Sequence, residues 1–569
     1  MRLRKIAIQN FRGLNKIELD LDDTTVLIGE NNTGKTSILD AIRIGLGRTY
    51  SRKSATFEDY DYHLSDKDAQ PGQAGPLSIT FWFIESKPDE WSDPIVQALG
   101  DDVIVFIGDV KAVIFRINSA YDEVTKNFVT DWDFLNADEK PLSPKTRRPQ
   151  VLSALQQFCP VFYLAATRDA SKDFGSKSPF WAPFLRNPKI DPKVRIKLEK
   201  EIEVLNVKII NAHESLNKVK DNLGKAGTVV PLGGEVAIEA LPGRAFDALS
   251  RAQVSLTGTT GATLPLGRHG SGTQSLATMF LFEAFLKEML SDSFDPESEP
   301  ILTLEEPEAH LHPSAIRTLW LSLQAMKGQK IIATHSGDFL TATPFSNIRR
   351  LYRNKKNQIE VRQISLGTLT HDEHRKLEFH VRYARGELFF ALCWVLVEGE
   401  TEYQILSGLS NVMGDAYNFE KNSIRIVPTR HIGIKALIKV ADSLGISWHC
   451  LTDNDSQGKN DATAVRALLN GRAEANHLTV LSEDNIELYL CKNGLGDIYN
   501  SHISPQKKSH ITAAKNSDEY WRQVVKAMDD TPKPAVAIEV LEYIEKKGLT
   551  AAPTELKDVI KAATKLVKR

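Results

Sequence analysis

Gly29-Glu30-Asn31-Asn32-Thr33-Gly34-Lys35-Thr36 has the spacing G-x-x-x-x-G-K-S/T of a phosphate cradle. Glycines let backbone N–H groups wrap phosphate oxygens, and the N-terminus of a following helix adds positive potential. Lys35 then reaches the terminal phosphates and Thr36 can hold Mg²⁺. A second set of residues is acidic. Glu398, Glu400 and Glu402 follow one apolar run, Asp453 and Asp455 follow another about 55 residues on, and Glu483, Asp484 and Glu487 follow Leu478 to Leu481. Carboxylates gathered at neighbouring strand ends repel one another unless cations neutralise them, so a divalent-metal site is implied. Two metals held this way activate water and stabilise the leaving oxygen in phosphodiester cleavage.

These residues need particular elements to hold them. Thr25-Val26-Leu27-Ile28 reads as a short buried strand running into the cradle, and Ile38, Ala41, Ile42 and Gly45 mark one face of a helix over Ser37 to Leu46. Lys5 to Ile8 and Ile17 to Leu21 alternate as strands. The acids fall in an α/β rhythm that starts near residue 390. It runs strand Trp394 to Val397, helix from Glu402, strand Ile424 to Val427, helix Ile434 to Leu444, strand Ser447 to Leu451, helix Ala462 to Leu469 and strand Leu478 to Leu481. That alternation predicts a small parallel sheet with functional groups at its carboxyl ends. The longest apolar run, Leu388 to Val397, is too short for a bilayer and fits a buried strand. Lys67 to Gly75 and Asp138 to Arg148 read as loops, and beyond Ser501 the pattern is helical and mildly basic. From Asp191 to Leu223, apolar residues such as Val194, Leu198, Leu205 and Ile209 recur every three or four positions. This predicts one long amphipathic helix or a helical hairpin, packed on its own domain or protruding as a dimerisation arm.

Three further segments follow the cradle in the order used by ABC-type ATPases, and together the four resemble that family. Gly270 to Gln274 resembles the signature through which a second subunit caps the nucleotide, with Ser271, Gly272 and Gln274 at the matching positions. Ile301 to Pro307 is an apolar strand ending in two carboxylates. The resemblance implies that Glu305 orients Mg²⁺ and Glu306 is general base for the attacking water. Glu305 stands where that family usually has Asp. Ile331 to Ser336 is another strand, ending in His335, the expected switch residue for the γ-phosphate. Gly29, Asn31, Asn32, Thr33, Gly34, Lys35, Thr36 and Ser37 carry over as nucleotide contacts.

Glu398 with Asp453 and Asp455 resembles the Toprim domain of topoisomerases, primases and certain nucleases. An ABC-type ATPase followed by Toprim resembles the overcoming-lysogenization-defect (OLD) family of nucleases. The likeness covers nearly the whole chain, including Ile8 to Gly13 and Phe162 to Asp169. Phe389 to Leu406 and Thr452 to Asp455 look especially like the nuclease subunits of Gabija anti-phage systems. The resemblance implies a nucleotide-regulated DNA endonuclease of phage defence, acting on double-stranded DNA as a homodimer or higher homo-oligomer. A helicase or other defence-system subunit is an implied further partner. It also implies ATP with one Mg²⁺, and two Mg²⁺ or Mn²⁺ in the Toprim site. Glu398, Glu402, Asp453, Asp455 and Glu487 carry over as metal ligands, and Ser482 lies in the matching ligand segment. Lys533, flanked by Pro532 and Pro534, matches a lysine set against developing phosphorane charge; Lys507, Lys508 and Lys526 are its rivals. Pro428-Thr429-Arg430-His431 stands where the family often has a glycine-rich turn.

The chain is 569 residues long, enough for several domains. The expected division is an α/β fold with an ABC-type ATPase domain over 1–375, a helical dimerisation insert at about 186–225 within it, a Toprim core with a parallel sheet over 376–500 and a helical part over 501–569. The formal net charge is -2, so the chain is no polycation and any DNA contact must come from local basic patches. Cys159, Cys393, Cys450 and Cys491 form no C-x-x-C pair, which speaks against a zinc module, a primase and a disulfide scaffold. The N-terminus has no apolar stretch like a secretory signal, and the expected location is cytoplasmic, away from membranes. A topoisomerase would need a nucleophilic tyrosine, whereas Tyr489 and Tyr520 read as packing residues; an SMC-type ATPase would need far longer coiled-coil arms. The remaining alternative is a nucleotide-sensing scaffold whose Toprim site acts only within a larger defence complex.

Overall fold

The computed structural model describes residues 1–47, 57–64, 69–166, 190–215, 217–218, 240–241, 254–257, 261, 263–288, 290, 294–354, 356–365, 367–382, 386–430, 432–515, 517–528 and 533–568. Thr167 to Asp169, most of 216–239, His431 and Pro532 lie outside them.

Two sheets build the amino-terminal part. Leu14–Asp20, Leu3–Phe11, Leu77–Ile84, Val110–Asp122 and Val105–Ile107 lie in that order in an antiparallel sheet, with Asn127–Leu135 also paired to Val110–Asp122. The second sheet runs in the order Ile359–Arg362, Ile348–Arg353, Thr24–Gly29, Gln329–Ala333, Ile301–Glu305, Val161–Leu164. All its pairings are parallel except the first. Continuous apolar runs such as Val26-Leu27-Ile28 suit strands covered on both faces. The helix Lys35–Leu46 packs between the sheets, and Ile38, Leu39 and Ile42 join one core with Phe81 and Phe115. Gly45 permits this approach, since a Cβ there would stand 2.4 Å from the Phe81 ring.

The carboxyl-terminal part holds a parallel four-stranded sheet, Ile424–Pro428, Cys393–Val397, Ser447–Thr452, Leu478–Val480. Helices Glu400–Val412, Ile434–Leu444 and Ser456–Ala467 connect its strands. Helices Asp518–Ala527, Lys533–Lys547 and Thr554–Val567 follow, and Val536, Val540, Leu556 and Ile560 bury against Val395 and Leu406. One apolar core passes from Val26, Leu304 and Ile332 of the second amino-terminal sheet to Trp394, Leu396 and Trp448 of the four-stranded carboxyl-terminal sheet.

Three expectations need adjustment. The amphipathic segment forms a helix over Pro192–Ala212, capped by Asp191, and breaks at His213; only Asn206 and Ile210 bury, while Val194, Ile196, Val204 and Val207 stay exposed. The apolar run from Leu388 is strand only from Cys393, because Gly386–Phe390 winds into a tight 3₁₀ segment. The helix after Asp455 starts at Ser456, six residues before the expected Ala462, because Asp455 caps it. Its polar first turn hides the apolar periodicity. The four cysteines are free and buried. No helix among the described residues is long and apolar enough to cross a membrane.

Candidate functional site

The strand Thr24–Gly29 delivers the cradle and the helix Lys35–Leu46 receives it. Gly29 sits at φ +150°, where a Cβ would stand 2.3 Å from the Leu351 carbonyl oxygen; Gly34 sits at φ +88°, with Leu14 2.5 Å from a Cβ position. Only glycine meets both demands. Thr33 Oγ1 donates to the Glu30 carbonyl at 2.8 Å, closing the loop, and Ser37 lies in the first helical turn. Asn32 adopts φ +62°. Lys35 is buried, and its Nζ donates to the carbonyls of Gly29 and Glu30, each at 2.9 Å. Burial pulls its pKa down to about 8, opposed by Glu306, Glu30 and Glu305. The loop thus holds a cation at its centre.

Thr36 Oγ1 donates to one carboxylate oxygen of Glu305, and Tyr163 Oη donates to the other at 2.6 Å. Glu305 pairs with Ala333 in parallel register, so the two carboxylates and His335 share one sheet edge. Glu306 adopts φ +41°, a backbone cost of about 1–3 kcal/mol of the kind found at functional sites. Its charge acts on both Lys35 and His335. Burial, then Lys35, lowers the His335 pKa, which keeps the ring neutral at pH 7. Gly29, Asn31 and His335 line one cavity of 740 Å³. Ser271 opens the helix Ser271–Glu288, Gly272 lies against the His310 carbonyl and Gln274 Nε2 donates to the His269 carbonyl at 2.8 Å. None of 271–274 lines that cavity.

The acids gather at the carboxyl edge of the four-stranded parallel sheet. Glu398 follows the strand Cys393–Val397, and Asp453 and Asp455 follow its neighbour Ser447–Thr452. Glu402 lies in the first turn of Glu400–Val412, and its Oε2 accepts the Gly399 N–H at 3.0 Å. Glu487 lies in Ile486–Leu490 and accepts Thr401 Oγ1 at 3.4 Å. Asp455 Oδ1 accepts the Gly458 N–H at 2.7 Å. Asp453, Glu402 and Glu487 are 8%, 6% and 6% exposed. Burial first, then Glu402, Glu398, Glu487 and Asp455, push the Asp453 pKa up to about 8. Burial, then Glu487 and Glu398, push Glu402 up to about 7. Glu398 is raised by burial and by Asp455, and Arg430 opposes this. Five carboxylates therefore sense one another.

The donor chemistry, all carboxylate oxygen, suits Mg²⁺ or Mn²⁺. Among the described residues, however, no three His, Cys, Asp or Glu side chains form a group set to hold a metal ion. Glu402 and Asp455 each spend an oxygen on a backbone N–H at a helix start, that of Gly399 and that of Gly458. Other acids are consumed by cations: Glu483 pairs with Lys492 at 2.8 Å and Asp484 pairs with Arg522. Ser482 is exposed, its N–H donating to Glu555. Lys533 opens the helix Lys533–Lys547, and its side chain lies outside the described ones; Lys507 and Lys508 end Pro505–Lys508, and Lys526 lies in Asp518–Ala527. Tyr489 and Tyr520 are buried packing residues.

Sequence patterns gave no role to Tyr163, Gly458 or Arg430, although Tyr163 and Arg430 lie in segments that the family likeness singles out. A Cβ on Gly458 would come 2.0 Å from the Asp453 carbonyl oxygen. The signal was present in the sequence only as a glycine three residues after Asp455.

A family model described as AAA ATPase domain matches residues 1–340. The chain belongs to the AAA ATPase domain family. A second model, overcoming lysogenization defect protein-like TOPRIM domain, matches residues 389–455, which include Glu398, Glu402, Asp453 and Asp455. The AAA ATPase and the OLD-like Toprim domain thus stand in one chain, as the motifs imply. The protein YbjD of Escherichia coli (strain K12) is 28% identical over 567 residues, covering 98% of this chain and 97% of that one. The OLD nuclease of Thermus scotoductus (strain ATCC 700910 / SA-01) is 24% identical over 80% of this chain and 82% of its own. Endonuclease GajA of Bacillus cereus (strain VD045) is 20% identical over 91% of this chain and 86% of its own.

Proposed function

We propose that this protein is an ATP-binding, nucleotide-regulated, divalent-metal-dependent DNA endonuclease that cleaves phosphodiester bonds in its Toprim domain, in anti-phage defence. The observation that carries this reading is the gathering of Glu398, Glu402, Asp453, Asp455 and Glu487 at one sheet edge, where burial first and then their mutual repulsion raise the pKa values of Glu398, Glu402 and Asp453. Two divalent cations bound there would activate water and stabilise the leaving oxygen. Glu398 and Asp453, at the ends of adjacent strands, are the residues that would grip them most directly. The buried Glu487 and Glu402 would complete the ligand set, and Asp455 holds its turn by capping the next helix. Lys533 is assigned the developing charge on the phosphate.

In the ATPase domain, Lys35 binds terminal phosphates, Glu305 orients the nucleotide's Mg²⁺ together with Thr36, and Glu306 accepts a proton from water. By the likeness to ABC-type ATPases the signature over 271–274 is assigned to the nucleotide of a second copy, which makes the proposed working unit at least a homodimer. Plasmid nicking by the full chain with Mg²⁺ or Mn²⁺, with and without ATP, tests the whole reading. Nicking that depends on metal and responds to ATP is expected.

A second reading has one observation in its favour: among the described residues no three His, Cys, Asp or Glu side chains form a group set to hold a metal ion. On that reading the chain is a nucleotide-sensing scaffold whose Toprim site acts only within a larger defence complex, and the same assay gives no nicking by the chain alone.

A further inference from the structure

The Toprim domain does not stand clear of the ATPase site. The strand Ile348–Arg353 runs beside the cradle strand, with Arg350 opposite Ile28 and Leu351 opposite Gly29. The buried Arg350 side chain crosses to the Toprim domain and donates to the carbonyls of Phe389 at 3.0 Å, Ala391 at 2.8 Å and Leu444 at 2.9 Å. The segment so gripped packs on the switch loop. A Cβ on Gly386 would fall 2.0 Å from the Gly337 carbonyl oxygen, and the Phe390 ring lies 16° from parallel to His335 with centroids 6.4 Å apart.

The result is a single cavity with walls from both domains: Gly29, Asn31 and His335 from one, Phe390, Ser423 and Arg425 from the other. Cradle and switch residues mark this as the side where the terminal phosphate of a nucleoside triphosphate belongs. Glu30 and Glu387 also line it, so an anion entering there needs a compensating cation. Arg425 supplies one. Its Nη1 pairs with Glu420 at 2.6 Å, but Glu420 is 74% exposed, and such surface pairs are worth about 0–1 kcal/mol. A phosphate offers the guanidinium a stronger, two-pronged partner.

We propose that Arg425 is a ligand of the terminal phosphate of the nucleotide bound by its own chain, so that the Toprim domain itself reads triphosphate against diphosphate. This rests on the nucleotide-binding reading of the ATPase domain. Arg425 stands near the start of Ile424–Pro428, which pairs in register with Cys393–Val397, the strand that ends at Glu398. A phosphate contact at the amino edge of the sheet is therefore one short strand, roughly 16 Å, from the acids at its carboxyl edge.

The test titrates the full-length wild type, Arg425→Ala and Arg425→Lys with fluorescent analogues of ADP and of non-hydrolysable ATP. Arg425→Ala should weaken the ATP analogue about tenfold and leave the ADP analogue unchanged, with Arg425→Lys recovering part of the loss. Lys35→Ala should weaken both, which marks the cradle separately. Glu420→Gln releases Arg425 from its surface partner, so it should tighten the ATP analogue only, and it serves as the independent variant if Arg425→Ala melts early. Unchanged ATP-analogue affinity in Arg425→Ala, or an equal loss for both analogues, overturns the proposal; so does weaker or unchanged ATP binding in Glu420→Gln. Wild type that binds neither analogue overturns the nucleotide-binding reading itself.

Discussion

Asp453 and Gly458 are in direct backbone contact: the Asp453 carbonyl oxygen lies 2.0 Å from where any Cβ on Gly458 would stand. The Gly458 N–H is at the same time the donor to Asp455. One glycine therefore sets the turn that carries two of the proposed metal ligands. Gly458→Ala should displace that turn, with an overpacking cost of about 1–3 kcal/mol, and should lower metal-dependent nicking more than about tenfold. Gln457→Ala, at an exposed neighbour, should leave it unchanged. Nicking and thermal melting of the two variants check this, and a Gly458→Ala protein that nicks normally removes the turn from the account.

Tyr163 acts on Glu305 from the side away from Thr36. Glu305 is one methylene longer than the Asp usual at its position, and these two hydroxyls fix where its carboxylate sits. Tyr163→Phe removes one hydrogen bond to a charged acceptor, a loss of about 1.5–3 kcal/mol at most. The Mg²⁺ concentration for half-maximal ATP hydrolysis should rise several-fold, while nucleotide binding in chelator stays unchanged. An unaltered Mg²⁺ dependence would show that the tyrosine only packs.

Lys35→Ala should weaken nucleotide binding, because it removes the buried cation at the loop's centre. Glu306→Gln should instead keep ATP bound and unhydrolysed, since size is retained and proton-accepting ability is lost. Binding titrations and phosphate release separate the two. Normal hydrolysis by both variants would refute the assigned roles.

The parts of these sites that lie within one strand–loop–helix unit were readable in the sequence. Gly29 to Thr36, the strand ending at Glu305 and the strand ending at Glu398 announce themselves by apolar runs that stop at polar residues. What was not readable comes from chain segments far apart. Tyr163 reaches Glu305 across 142 positions, and Arg350 reaches the Toprim carbonyls through a buried side chain with no pattern around it. The helix Ser456–Ala467 was placed too late because a side-chain cap, not apolar spacing, fixes its start. The helix Pro192–Ala212 keeps its apolar stripe exposed, so periodicity gave the helix but not its packing.

Protonation of the acidic cluster gives a pH prediction. The folded pKa values of Asp453 and Glu402, about 8 and about 7, lie above those of the unfolded chain. At about pH 2, well below the unfolded pKa values, both groups are protonated in either state. As pH rises, the unfolded chain releases protons first, so stability is lost up through the folded pKa values. In chelator, the melting temperature should fall between about pH 6 and about pH 8.5. Added Mg²⁺ should restore it, more at the higher pH, and Asp453→Asn should flatten the slope. Melting curves that are steeper in Asp453→Asn, or a Mg²⁺ effect larger at low pH, would contradict the cluster's electrostatics.

The most direct test of the central claim is plasmid nicking by full-length wild type, Glu398→Ala and Asp453→Ala in Mg²⁺ or Mn²⁺. Both side chains sit at strand ends, where they support little of the core, so the variants should stay folded and bind ATP. The account predicts nicking by the wild type, none in chelator, and a loss of at least about a hundredfold in each variant. Cleavage near the wild-type rate in both variants would contradict it.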